Sequence, residues 1–206
     1  MKTISLAIGR IIFGIAGLAA IAYQLHDSIK YGRSIVNFFS FFTIESNILA
    51  VIVLVALGVI ALIKRNDDKL ALIRGAVTLY MTMTGIIYVL LLSGNEVALQ
   101  TTVPWVNIIL HYVLPLVLLV DWLVFPPRVY VSFQKAMWWL VFPVVYLIYS
   151  LVRGSYKDWY PYPFINPVIN GWPTVVVMSI LIAFGVVILA GLLTLRTRAN
   201  KPQRAM

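Results

Sequence analysis

The sequence contains no cysteine and little charge. Only 11% of its 206 residues are aspartate, glutamate, lysine or arginine, against about 25% in a typical soluble domain. Without cysteine, disulfides and cysteine-bound metal are excluded. The sequence also has no internal repeat, no low-complexity tract and no polar stretch long enough for a separate domain. These deficits exclude a soluble globular protein.

Long apolar runs make up most of the chain instead. Hydrophobic residues account for 62% of the sequence, and a membrane-spanning helix needs about 20 predominantly apolar residues. We predict one all-α domain, residues 1–206, in which six transmembrane helices form a bundle. The six predicted runs are Ile4–Leu25, Phe38–Ile63, Leu70–Leu92, Trp105–Phe125, Ala136–Val152 and Trp172–Leu195.

The net charge of +9 comes from basic residues that lie mostly between the apolar runs. Cytoplasmic segments of membrane proteins carry an excess of lysine and arginine. With a cytoplasmic N-terminus, twelve of the 16 basic residues fall on the inner side. The four on the outer side are Lys30, Arg33, Arg153 and Lys157. This pattern predicts cytoplasmic N- and C-termini and contacts with membrane lipids, and it does not indicate a nucleic-acid partner.

Polar side chains within two of the runs indicate a site near the outer surface. Such groups are costly in a bilayer and usually face a protein interior or cavity. Thr43 lies five residues inside the second run, roughly 7–8 Å deep, and His111 lies six residues inside the fourth, roughly 9 Å deep. Asn47 shares a helix face with Thr43, and Asn107 shares one with His111, because each pair is four residues apart. We expect all four at one level.

These residue types fit acyl transfer. A threonine hydroxyl becomes a nucleophile when a base such as neutral histidine removes its proton in a dry site, and asparagine amides stabilise an oxyanion. Taken alone, the same residues have a more frequent structural role, since membrane threonines bond their own helix and asparagines join helices. Glu45 points to another face than Thr43 and would line an adjacent wall or fix a neighbouring helix.

The fifth loop, "YKDWYPYPFINPVINGWP", is dense in aromatic residues, proline and asparagine. Aromatic residues at this position are typical of the belt at the membrane surface. A loop with this much proline also has a restricted shape and would cap a pocket. The candidate pocket residues in this loop are Tyr160, Tyr162, Phe164, Asn166 and Asn170.

Two other kinds of site were considered for the same region. A zinc or haem site would draw on His26 and His111, with Glu45 or Asp27, but the two histidines are not spaced as a metal-binding pair. We therefore expect no metal and no cofactor. Carriers usually show inverted repeats and broken helices near the midplane, and the sequence shows neither. The alternative to an enzyme is a non-catalytic lipid- or small-ligand-binding protein, or a carrier, with the same outer-facing cavity.

Three segments follow one another along the chain: "FFTIESNIL", "WVNIILHYVLPLVLL" and "DWYPYPFIN". Together they resemble the androgen-induced membrane protein family, in its bacterial six-helix branch. Eukaryotic members of that family are threonine hydrolases that cleave fatty acid esters of hydroxy fatty acids. The resemblance implies that Thr43 is the nucleophile and His111 the base. It also implies a lipid ester substrate, no cofactor and a bacterial plasma membrane.

The sequence departs from the family at two points. The spacing from His111 to Pro115 is one residue shorter than in the family. The residues after Thr43 are more polar than in the mammalian proteins. These departures predict either a different substrate or lipid binding without hydrolysis.

Overall fold

The computed structural model describes residues 2–94 and 103–200. In this part of the chain every regular element is helical, and six helices are long and apolar enough to cross a membrane. The predicted all-α fold of six transmembrane helices is confirmed, and the chain is an integral membrane protein. We call these helices spans 1 to 6, and they run Ile4–Lys30, Phe42–Leu62, Asp68–Leu92, Pro104–Val124, Phe133–Lys157 and Pro167–Leu195.

The spans combine three helical forms. The α-helices are Lys2–Lys30, Ile35–Phe39, Phe42–Leu62, Ala71–Ile87, Pro104–Ile108, Leu114–Val124, Phe133–Ala136, Val141–Lys157 and Pro167–Leu195. The 3₁₀ turns are Asp68–Leu70, Met137–Leu140, Pro163–Ile165 and Arg198–Asn200. Two π-helical turns, Tyr88–Leu92 and Ile109–Val113, lie near the predicted outer ends of spans 3 and 4. Such turns are frequent at functional sites.

Span 2 begins later than predicted. Hydropathy placed its start at Phe38, but Ile35–Phe39 forms a separate short helix that ends at Ser40. A new helix begins at Phe42, so Thr43 lies in its first turn rather than five residues inside it. The prediction of one continuous helix from Phe38 is therefore wrong, and the depth that it gave for Thr43 does not apply.

Spans 1 to 4 form the core of the bundle, and span 3 is the most buried of the six. Span 1 packs closely on span 2, where a side chain at Gly58 would meet the carbonyl oxygen of Ala7 at 2.8 Å. Only glycine permits this approach of the two backbones. Spans 5 and 6 lie outside this core and expose most of their apolar side chains, as expected for helices that face lipid.

Spans 5 and 6 contact each other mainly near one end. Phe133 and Met137–Leu140, at the start of span 5, pack against the second half of span 6. At the other end, the turn Pro163–Ile165 in the fifth loop contacts span 6. Between these two contacts Val141–Lys157 diverges from span 6, and a gap opens toward the lipid side.

A buried ion cluster joins spans 1, 3 and 4. Arg10 donates from Nε and Nη2 to the two carboxylate oxygens of Asp121, at 2.9 and 3.2 Å. Arg74 Nη2 donates to the same carboxylate at 2.8 Å and to the carbonyl oxygens of Asp121 and Phe125. The sequence analysis counted Arg10 and Arg74 with the inner surface segments, but both are buried within spans. The cluster places the starts of spans 1 and 3 and the end of span 4 together.

Candidate functional site

The start of span 2 has no side-chain cap of its own. Its N-cap residue is Phe41, which has no polar side-chain atom, and the first N–H groups of a helix lack partners within the helix. Two tyrosines accept these hydrogen bonds. Phe42 N donates to the Tyr146 hydroxyl at 3.2 Å, and Thr43 N donates to the Tyr162 hydroxyl at 3.1 Å. Span 5 and the fifth loop thus fix the backbone of Thr43.

The break before span 2 is also held by span 5. The Tyr146 hydroxyl donates to the carbonyl oxygen of Ser40 at 2.9 Å, and Ser40 Oγ lies 2.8 Å from the Tyr149 hydroxyl. The sequence analysis did not single out either tyrosine. The available signal was two tyrosines within one apolar run, since a buried phenol usually needs a polar partner. The polar residues of "NFFSFFTIESN" lie where one helix ends and another begins.

The Thr43 hydroxyl is buried against Tyr162. The Thr43 residue is 8% exposed, and 3.3 Å separates the two hydroxyl oxygens. Burial raises the pKa of the Tyr162 phenol above its ordinary value, the hydrogen bonds with Thr43 oppose the rise, and the charge of Glu45 adds to it. The phenol is neutral at physiological pH. When Tyr162 donates to Thr43 Oγ1, the threonine proton points away from the phenol.

Asn47 joins span 2 to span 4. It is fully buried, and its Nδ2 donates to the carbonyl oxygen of Thr43 at 2.8 Å and to that of Leu110 at 3.1 Å. These two bonds use both amide hydrogens. Asn47 therefore holds the backbone of Thr43 beside the residue that precedes His111, and it does not present a donor to an oxyanion in this arrangement.

His111 lies in the π-helical turn of span 4 and is 3% exposed. Its ring stacks on that of Tyr88 in the π-helical turn of span 3, with 4.0 Å between the ring centroids. His111 Nδ1 lies 3.2 Å from the carbonyl oxygen of Asn107. Because a carbonyl oxygen only accepts, this bond places the proton of the neutral ring on Nδ1 and leaves Nε2 as the basic nitrogen.

Asn107 contributes to the surroundings of the histidine in two ways. Its carbonyl oxygen bonds His111, and its Nδ2 donates to the Tyr88 hydroxyl at 2.5 Å. These contacts correspond to the orienting role that the sequence analysis gave as one of two alternatives. Tyr88 was not predicted, although it too is a tyrosine within an apolar run.

Thr43 and His111 lie on neighbouring segments without a direct hydrogen bond. Among the described residues, the partner of Thr43 Oγ1 is Tyr162, whereas His111 Nδ1 bonds Asn107. Asn47 links the two backbone segments. Transfer of a proton from Thr43 to His111 therefore requires the threonine hydroxyl to turn from the phenol toward the ring.

An apolar cleft occupies the gap between spans 5 and 6 and reaches Thr43. It has an empty volume of about 980 Å³, counting space that is open to the surroundings. Val144 and Ala183, on its two sides, are exposed, so the cleft opens laterally. Thr43, Tyr162 and Phe164 form part of its wall. The other lining residues are Phe42, Leu79, Tyr80, Met83, Thr84, Ile87, Leu92, Leu140, Pro143, Tyr146, Leu147, Ile165, Ser179, Ile182 and Val186.

Asn166 and Asn170 are not part of the cleft wall. Asn166 Oδ1 accepts from the backbone N of Val168 at 2.9 Å and caps the helix of span 6. Asn170 Nδ2 donates to the carbonyl oxygen of Pro163 at 2.6 Å. Instead of contacting a ligand, as predicted, both asparagines shape the loop that carries the cleft-lining ring of Tyr162.

The remaining titratable candidates do not form a metal site. Glu45 is half-buried, does not line the cleft, and its carboxylate forms no hydrogen bond or ion pair with any residue that the structure describes. His26 is exposed and His111 is buried. Across residues 2–94 and 103–200, no three histidine, aspartate or glutamate side chains are grouped to bind a metal.

Comparison with known proteins finds no match for this chain among protein-family models, curated proteins or solved structures. The fold and the site define it as a six-helix integral membrane protein. In its site, a buried threonine–tyrosine pair lies on the wall of an apolar lateral cleft.

Replacing Tyr162 by phenylalanine is expected to lower the free energy of unfolding by about 1–3 kcal/mol, because the buried N–H of Thr43 loses its acceptor. Tyr160→Phe is the matched control, since the Tyr160 hydroxyl forms no hydrogen bond with the described residues and its ring packs on Gly154. Thermal melts of both variants in detergent provide the measurement. Equal melting temperatures would show that the cap contributes nothing to stability.

Proposed function

We propose that this protein is a membrane esterase that hydrolyses a lipid ester, with Thr43 as the nucleophile and His111 as the general base. The observation that carries the proposal is the position of the Thr43 hydroxyl on the wall of an apolar cleft that opens sideways. An acyl chain that fills the cleft would bring its ester carbonyl against this hydroxyl. The segments that resemble the androgen-induced membrane protein family contain Thr43, His111 and Tyr162, which supports the same assignment.

The chemistry proceeds in two halves. Thr43 Oγ1 attacks the acyl carbon while its proton passes to Nε2 of His111, and the carbonyl electrons form an oxyanion. Collapse of the oxyanion expels the alcohol, which takes the proton from the imidazolium. Water then attacks the acyl-threonine with the same base, and the fatty acid leaves. Tyr162, with its hydroxyl 3.3 Å from Thr43 Oγ1, is placed to donate to the oxyanion. No cofactor takes part, and a bacterial plasma membrane is the proposed location.

A second candidate function is lipid binding without hydrolysis. It is favoured by one observation: the Thr43 hydroxyl bonds a neutral phenol, not the His111 ring. In this case an acyl chain occupies the same cleft, and Thr43 and Tyr162 bind the polar end of the lipid.

Labelling with a fluorophosphonate probe separates the two functions. The wild-type protein is expected to react, and Thr43→Ala is expected to lose the reaction because the attacking oxygen is gone. Thr43→Ser keeps a hydroxyl and should still react. Thr84→Ala is the matched control, because Thr84 lines the same cleft but its hydroxyl pairs with Ser46 at 3.1 Å.

Equal labelling of the wild type and Thr43→Ala would contradict the nucleophile assignment. A wild type that binds lipid saturably but does not react would instead support the second function. Hydrolysis of a panel of lipid esters by the purified protein then defines the substrate class.

A further inference from the structure

Arg153 is a partly exposed cation near the predicted outer end of span 5. Its Nη2 donates to Asn37 Oδ1 at 2.6 Å, and its guanidinium carbon lies 4.9 Å from the centroid of the Trp159 ring. These two contacts fix the plane of the guanidinium. Its Nη1 has no hydrogen-bond partner among the described residues, and none of them forms an ion pair with Arg153.

The buried arginines of the core differ from Arg153 in this respect. Arg10 and Arg74 share the carboxylate of Asp121. A cation that is removed from water without an opposite charge is costly. An amide oxygen and an aromatic face orient Arg153 without neutralising it, so the position favours an anion that comes from outside the described chain.

The surroundings of Arg153 suit a phospholipid. On the same side of span 5, toward the membrane interior, Val145, Tyr149 and Val152 are 57%, 40% and 53% exposed. They form an apolar strip against which an acyl chain can lie. The positive-inside rule places Arg153 on the outer side of the membrane, where the phosphates of the headgroups lie. A planar guanidinium pairs with two phosphate oxygens at once.

We propose that Arg153 binds the phosphate of an anionic phospholipid whose acyl chain lies along this strip. Arg153 does not line the cleft that reaches Thr43. The lipid site is therefore distinct from the proposed esterase site, and its occupation does not depend on hydrolysis.

Quenching of tryptophan fluorescence tests the site, because Trp159 stacks on Arg153. The full-length protein in phosphatidylcholine nanodiscs is titrated with phosphatidylglycerol that carries brominated acyl chains. Wild type is expected to show saturable quenching at a low fraction of phosphatidylglycerol. Arg153→Gln should raise the fraction needed for half-maximal quenching by about tenfold, and Arg153→Lys should give an intermediate value because it keeps the charge but not the planar fork.

Lys157→Gln is the matched control, since it removes the same charge from an exposed position one turn further along the helix. Its titration should stay within about twofold of the wild type. The proposal is overturned if Arg153→Gln titrates like the wild type, or if Lys157→Gln has an equal effect, which would indicate diffuse attraction. It is also overturned if brominated fatty acid or inorganic phosphate, rather than phosphatidylglycerol, saturates the site or displaces the bound lipid.

Discussion

Replacing Asp121 by alanine is expected to lower the free energy of unfolding by about 3–5 kcal/mol, because two buried arginines lose their shared carboxylate. Arg10 should account for most of the loss, since both of its hydrogen bonds to Asp121 disappear. Arg74 keeps its bonds to two carbonyl oxygens, those of residue 121 and Phe125. Unfolding in detergent with increasing SDS measures the change.

Asp67→Ala is the control for Asp121→Ala. Its carboxylate lies 3.9 Å from Arg74 Nη1 and its side chain is 28% exposed, so its loss should cost about 0–1 kcal/mol. If Arg10 carries the penalty, Asp121→Ala should cost much less in an Arg10→Met background. Equal stability of Asp121→Ala and Asp67→Ala would show that the cluster does not hold spans 1, 3 and 4 together.

Replacing His111 by alanine is expected to slow fluorophosphonate labelling by about 10²–10⁴-fold, the usual effect of removing a general base. The fold should survive, because the main contact that is lost is the stacking on Tyr88, worth about 0.5–1.5 kcal/mol. The labelling rate and the elution volume in size-exclusion chromatography are measured on the same sample.

His26→Ala is the matched control, because His26 is the other histidine of the chain and is exposed. Its labelling rate should equal that of the wild type. A folded His111→Ala protein that reacts at the wild-type rate would reduce His111 to a packing residue. A variant that no longer folds would point to the same structural role, and Thr43 would then need another base.

Hydropathy was enough to predict the six spans, because a helix that faces lipid must be apolar over about 20 residues. It misplaced the start of span 2, since Phe38 and Phe42 are equally apolar and the break between them depends on hydrogen bonds from Tyr146 and Tyr149. The positive-inside rule likewise gave Arg10 and Arg74 to the surface. Asp121, the one carboxylate in the fourth apolar run, was the signal that buried arginines pair with it.

The candidate site was only partly predictable. The residue types and four-residue spacings brought Thr43, His111, Asn47 and Asn107 into one hypothesis, and the structure connects them through backbone hydrogen bonds. The partner of the Thr43 hydroxyl was not predictable. It belongs to Tyr162, 119 residues further along the chain, whose position depends on how the fifth loop folds back over span 2. A π-helical turn also has the same composition as an α-helical one.

The ring of Tyr162 stacks on Phe164, and both are in the wall of the cleft, so this single phenol couples two events. A guest molecule that pushes the pair of rings aside releases the amide and the alcohol of Thr43 at the same moment. By reciprocity, any change that tightens the grip of the phenol on Thr43 weakens the entry of such a guest by the same factor.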